Sequence, residues 1–221
     1  MDELKKSVAP AASLYPKAKS VSEKLNFIDD ASNKTHLSDV ANGKWALLYF
    51  GYTSCPDVCP IDLSKINQAV QLMKNSDQLQ VVFVSVDPDR DLGNLDKFAK
   101  AFNQSFKGLT AKQVELMSIS RTLGVYHEVV QSQQTAQEDH SNHNHSHGDR
   151  DDDSHDSHDS HDSHKMAADK ESSSKKVAYY DVDHTSSYLL LNTELELVAL
   201  LTNPHEPGPM AEALDKIIEA L

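Results

Sequence analysis

Trp45-Ala46-Leu47-Leu48-Tyr49-Phe50 and Gln80-Val81-Val82-Phe83-Val84-Ser85-Val86 are near-continuous apolar runs of strand length, the second rich in β-branched residues. Such runs predict strands covered on both faces. Between them Leu63, Ile66, Val70 and Met73 recur at helical spacing and predict a helix over 61–75. Further helices are expected over 94–103 and over 111–122, the latter stopped by Gly124, and a strand follows over 125–130. Near the end, 187–191 and 195–201 read as a hairpin turning through Asn192-Thr193-Glu194. A last helix opens at Pro209-Met210 and turns Ala213, Leu214, Ile217, Ile218 and Leu221 inward. Ahead of all these, 25–30 and 35–38 predict an N-terminal β-hairpin, and Asn42-Gly43 marks a turn into the strand at 45. Strands alternating with helices, then closed by a hairpin, predict an α/β sandwich around a central mixed sheet.

Two stretches carry no such period. Residues 1–22 are polar and small and read as a flexible leader, leaving 23–221 as the domain. Residues 131–176 interrupt that domain. Eight of the chain's twelve histidines fall there: His140, His143, His145, His147, His155, His158, His161 and His164, the last four in Ser-His-Asp repeats. Eleven acidic residues against five basic leave the segment at −6. With almost no aliphatic or aromatic side chains it cannot offset the entropy of ordering, and it reads as a disordered, acidic insertion. Imidazole with carboxylate suits zinc, copper or nickel, so the eight histidines are loop metal candidates beside the plain reading of a solvating insertion. The whole chain carries −13, which argues against nucleic acid and against adsorption to anionic lipid. No apolar stretch is long enough for a membrane span, and none has the form of a signal peptide.

The only cysteines, Cys55 and Cys59, stand where the first apolar run hands over to a helix. Helix N-termini favour thiolates, the form that attacks disulfides and binds soft metals. Pro56 and Pro60 disfavour helical geometry at the residues before them, so 51–60 reads as a stiff loop with the helix starting near Pro60. Such a loop can close a disulfide or spread two sulfurs around a metal, and the spacing leaves both open. Two thiolates under-coordinate most metals. A third ligand is therefore sought, and outside the insertion His184 is the candidate, with Asp183 or Asp181 to orient its ring. An ordinary loop histidine is the alternative. His36, His127 and His205 read as surface or strand residues.

The string Gly51-Tyr52-Thr53-Ser54-Cys55-Pro56-Asp57-Val58-Cys59-Pro60 resembles the signature of the SCO/SenC family of copper metallochaperones, which assist cytochrome c oxidase assembly. Val84-Ser85-Val86-Asp87-Pro88-Asp89-Arg90-Asp91 and Val182-Asp183-His184-Thr185 resemble further family blocks, in the family's order. The resemblance implies a thioredoxin-like fold with Cys55, Cys59 and His184 binding copper as Cu(I) or Cu(II). It also implies a place near the site for Asp87. The acceptor it implies is the binuclear copper centre of cytochrome c oxidase subunit II or another cuproprotein, with a thiol reductant as a second partner. The rival is a thiol–disulfide oxidoreductase that needs only the two cysteines; a metal buffer acting through the histidine-rich loop is a third reading. The family works outside the cytoplasm, so a periplasmic or other extracytoplasmic place is expected, with a membrane anchor removed ahead of residue 1. The 125-residue separation of Cys59 from His184 exceeds the family's usual spacing, and the insertion supplies the excess.

Overall fold

The computed structural model describes residues 2–125, 127–131, 180–184 and 188–221. In chain order they form α1 (Asp2–Val8), β1 (Ala12–Ser20), β2 (Asn26–Ile28), β3 (Lys34–His36), α2 (Leu37–Ala41), β4 (Trp45–Gly51), α3 (Val58–Leu72), β5 (Leu79–Ser85) and α4 (Pro88–Asp91). There follow α5 (Leu95–Phe102), β6 (Lys107–Leu109), α6 (Gln113–Leu123), β7 (His127–Gln131), β8 (Tyr180–His184), β9 (Tyr188–Leu191), β10 (Glu196–Leu201) and α7 (Pro207–Ala220). Residues up to 130 and from 180 onward pack as one compact unit. Beyond Gln131, the insertion expected over 131–176 lies outside the described residues.

Six strands make the main sheet, in the order β1-β10-β9-β4-β5-β6. β4 runs parallel to β5, and β5 parallel to β6; β9 and β10 return antiparallel, so the sheet is mixed as the pattern predicts. The two apolar runs become its centre because they have no polar face to offer water. All of β4 is buried, and of β5 only Gln80 is not. Helices α3 and α7 pack side by side, with α1 against α7. The Asp215 carboxylate of α7 accepts the amides of Lys74 (2.9 Å) and Asn75 (3.0 Å), just past the end of α3. Helix α5 lies on β5 and β6, its Phe98 ring 5.0 Å from that of Phe83. Strands β2 and β3 form the expected hairpin, and β7 pairs with β8. Among the described residues no helix is long and apolar enough to cross a membrane.

The structure corrects two expectations about order. Residues 1–22 are not a flexible leader: α1 and β1 occupy most of them, and Val8, Ala12 and Leu14 join the core. β1 pairs with β10 at the sheet edge. Pro16, Lys17 and Lys19 hide the strand signal because an edge strand keeps one side wet. Helix α3 begins at Val58, not near Pro60. The first-turn amides of a helix have no intrahelical acceptor, so Pro60 in that turn removes no helix bond.

Candidate metal centre

The thiol pair is built by the passage from β4 to α3. β4 ends at Gly51, opposite Ser85 of β5, and the Gly51 carbonyl accepts the Val86 amide at 2.9 Å. A Cβ on Gly51 would meet the Cys59 sulfur at 2.9 Å and the Phe83 and Tyr49 rings at 3.2 Å. Only a glycine lets the start of α3 settle this close to the strand end. The Cys55 amide then bonds the Tyr52 carbonyl at 3.3 Å, closing a turn. Asp57 precedes the helix but makes no side-chain cap. The Cys55 sulfur accepts the Cys59 amide instead, at 3.3 Å, taking up one of the orphan donors of the first turn. The two cysteines are therefore side by side as thiols not joined in a disulfide, Cys55 8% exposed and Cys59 fully buried.

Burial governs the chemistry of the inner thiol. Removal from water pushes Cys59 up to about 12, against the opposing influence of the Tyr49 hydroxyl and the Tyr52 backbone. The thiolate expected of a helix N-terminus is thus not what burial favours at Cys59. Tyr49 and Tyr188 are raised too, first by burial, then by the nearby Cys59 and Asp62 charges respectively. A group held protonated in the folded chain opposes unfolding less once the unfolded chain can release its proton. Stability is therefore complete below pH ~9 and falls as pH rises toward ~12. Denaturant titrations from neutral pH to pH ~11 should show this decline, and Cys59→Ala should make it shallower. Equal slopes in the two proteins would contradict the assignment.

Asp87, expected near the site, is 2% exposed just past β5, at the same end of the sheet from which the cysteine turn departs. It pairs with Arg90, whose guanidinium lies over the Tyr52 ring, 5.8 Å from its centroid. Asp183 and His184 end β8, and His127 begins β7; their side chains lie outside the description. The eight loop histidines, His140 to His164, lie outside the described residues altogether. Among the described residues no three His, Cys, Asp or Glu side chains converge as a metal-binding group.

His205 is not the surface or strand residue expected. It is 3% exposed, its ring stacks on Tyr188 at 3.8 Å, and its Nε2 sits 3.1 Å from the Leu201 carbonyl. Burial lowers its pKa, and the Tyr188 stacking and the Leu201 carbonyl make it a satisfied core histidine. His36 is held by the Ser38 hydroxyl and the Ser22 carbonyl, at 2.7 and 2.8 Å, at the start of α2. Sequence reasoning missed the polar group around Cys59: Tyr49, Tyr188 in edge-to-face contact with it (5.4 Å), and buried Asp62. Asp62 follows Cys59 by three residues, so helical spacing already put both on one face. A cavity of about 510 Å³ between the β2–β3 hairpin and α6, lined by Lys24, His36, Lys112 and Glu115 among others, includes neither cysteine.

Comparison with known proteins gives this geometry a lineage. The SCO1/SenC family profile matches residues 15–148. The mitochondrial SCO1 homolog 1 of Arabidopsis thaliana is 39% identical over 100 residues, 44% of this chain and 28% of the plant protein. An SCO2-like protein of Rickettsia prowazekii is 32% identical over 142 residues, 62% of this chain and 69% of that protein. The chain thus spans under a third of the plant relative's length. Among solved structures, Arabidopsis thaliana ScoI with copper bound superposes with a TM-score of 0.63 at 24% identity, covering 89% of this chain and 97% of that one. Apo Sco1 from Thermus thermophilus gives 0.58 at 26% identity, covering 94% and 92%. The thioredoxin domain of a Bacteroides vulgatus thiol–disulfide oxidoreductase gives 0.50 at 11%, covering 92% and 99%, so the fold is thioredoxin-like. The chain belongs to the SCO1/SenC family.

Proposed function

We propose that this protein is a copper carrier in which Cys55 and Cys59 bind the metal as thiolates and His184 completes a three-coordinate site. The observation that carries this reading is the pair of adjacent thiols, not joined in a disulfide, at the β4–α3 junction, in a chain whose relatives include copper-bound structures. Soft sulfur suits Cu(I), and an imidazole helps to accommodate Cu(II). Strand register supports the third ligand. β9 is antiparallel to β4 with Tyr188 opposite Tyr49, so the chain enters β9 at the end of the sheet where β4 gives way to the cysteine turn. His184 precedes Tyr188 by four residues.

Binding copper displaces the Cys59 proton, so affinity rises with pH. A low-coordinate site allows an acceptor's ligands to replace the donor's one at a time. The acceptor is the binuclear copper centre of cytochrome c oxidase subunit II or another cuproprotein outside the cytoplasm. Asp87 and Asp183 support the ligands or the partner, and the histidines of 140–164 gather metal nearby. An N-terminal anchor tethers the protein, and a thiol reductant keeps its cysteines open to metal. A thiol–disulfide oxidoreductase, which needs only the two cysteines, is the second reading, favoured by the thioredoxin-like fold.

His184→Ala separates the two. A carrier loses more copper affinity than the roughly 10–100-fold that removal of a group merely supporting a ligand costs, while exchange with a small disulfide continues. Competition titration with a Cu(I) chelator measures the first and thiol release the second. Unchanged copper affinity would count against the carrier.

A further inference from the structure

The Asp91 carboxylate is completely buried at the end of α4, and the cysteine turn hangs on it. One oxygen accepts the Thr53 amide at 2.8 Å and the Ser85 hydroxyl at 2.6 Å; the other accepts the Thr53 hydroxyl at 2.6 Å. Thr53 stands two residues before Cys55, and Ser85 is the last residue of β5. The neighbouring residue of the turn, Tyr52, is gripped from the same short helix by Arg90, itself paired with Asp87. Ser85 Oγ also accepts the Asp87 amide at 3.0 Å, so turn, strand end and helix form one network. Burying a carboxylate is costly, and three donors on one carboxylate give a rigid joint where a loop needs far less.

We infer that Asp91 is the positioning residue for Cys55: it fixes the turn that presents the outer sulfur beside the inner one. The inference rests on the copper reading for its metal arm alone; its effect on the thiols of the metal-free protein does not. Asp91→Ala removes all three bonds. Asp91→Asn keeps an acceptor for the Thr53 amide and the Ser85 hydroxyl, and the Thr53 hydroxyl can rotate to accept from the new amide. Thr53→Val cuts a single bond on the turn's side. Asp215→Ala, which uncaps the end of α3, is the control for general destabilisation.

The test uses the reduced, metal-free protein and the copper-loaded protein. In Asp91→Ala the Cys55 thiol reacts about tenfold faster with an aromatic disulfide reagent, copper is held about tenfold more weakly, and the copper–thiolate absorption band shifts. Thr53→Val shows part of each effect, and Asp91→Asn restores most of the parent's behaviour. Asp215→Ala lowers the melting temperature but leaves thiol rate and band in place. Parent-like thiol rates and band in Asp91→Ala would overturn the inference, as would equal changes in Asp215→Ala. If Asp91→Ala does not fold, Thr53→Val decides, and parent-like values there overturn it. If the parent itself takes up no copper, the carrier reading fails while the thiol rates still judge Asp91.

Discussion

A chain carrying Cys55→Ser together with Cys59→Ser is expected to emerge from chelator competition with no tightly held copper and a preserved fold. The sulfurs supply two of the three proposed donors, and a serine hydroxyl neither ionises near neutral pH nor offers a soft electron pair. The cost to folding is bounded by geometry. Cys59 is fully buried and Cys55 nearly so, but the Tyr49 hydroxyl lies beside Cys59. Each serine hydroxyl therefore enters a buried place with a polar partner at hand, at a cost of at most about 1–3 kcal/mol. The hydroxyl that replaces the Cys55 sulfur can still accept the Cys59-position amide that the sulfur now takes. At roughly 2–4 °C per kcal/mol for a chain of this size, the melting temperature falls but the cooperative transition survives. Metal content after dialysis, with circular dichroism on the same sample, reads both. Loss of copper removes the metal-buffer reading, in which the histidines of 140–164 hold metal without the thiols. Retention of copper at the parent's affinity would remove the carrier.

The parts of the fold that were legible in the sequence are those with one unambiguous solvent relation. Trp45–Gly51 and Leu79–Ser85 lie in the middle of the sheet, so their apolar runs had one physical explanation. The C-terminal end of α6 was equally plain, because Gly124 adopts a left-handed φ of 76° that other residues avoid. Illegible parts take their order from tertiary partners. β1 alternates inward and outward only from Ala12 to Leu14 before its lysines face water, and β6 is three residues long with no period to detect. Pro60 was read as keeping Cys59 out of the helix, whereas its place in the first turn lets α3 begin at Val58.

The site divides in the same way. Spacing on either side of a strand-to-helix junction gave the thiol pair directly, since cysteines are few and their chemistry is specific. For the proposed third ligand the local sequence offered His184 only as a candidate beside the reading of an ordinary loop histidine, and it was the resemblance that favoured it. His205 shows the danger of local reading: Asn203-Pro204-His205-Glu206-Pro207 has the composition of an exposed loop, yet the ring is stacked on Tyr188 and buried. The Asp91 joint was invisible for a similar reason. Asp87-Pro88-Asp89-Arg90-Asp91 reads as a polar turn, and nothing in it says that one carboxylate faces inward to Thr53 and Ser85.

Gly108→Ala is expected to be the most damaging methyl addition at any described glycine. A Cβ there would lie 2.3 Å from both the carbonyl carbon and oxygen of Leu95 and 2.7 Å from the Asp96 amide nitrogen. These are backbone atoms at the start of α5, and they have no freedom to yield. The Asp30 carboxylate holds the Leu95 and Asp96 amides at 2.8 and 2.9 Å, and the Asp96 side chain accepts the Gly108 amide at 2.9 Å. Relief requires β6 to leave α5, which breaks that bond and opens the α5–β6 packing. The cost is about 3 kcal/mol or more, at the upper end for overpacking. The melting temperature should then fall by roughly 6–12 °C or more. Gly208→Ala is far milder: it lies in the first turn of α7 with nothing within 4 Å of the added carbon beyond its chain neighbours. The crowding of that carbon by the following Pro209 offsets the backbone-entropy gain, so the melting temperature stays near the parent's. Equal melting temperatures in the two variants would contradict the packing. Because β6 lies two strands from β4, a Gly108→Ala chain that is still folded at low temperature should bind copper with the parent's spectrum. A changed spectrum would mean that the edge of the sheet and the thiol pair are coupled more tightly than this packing allows.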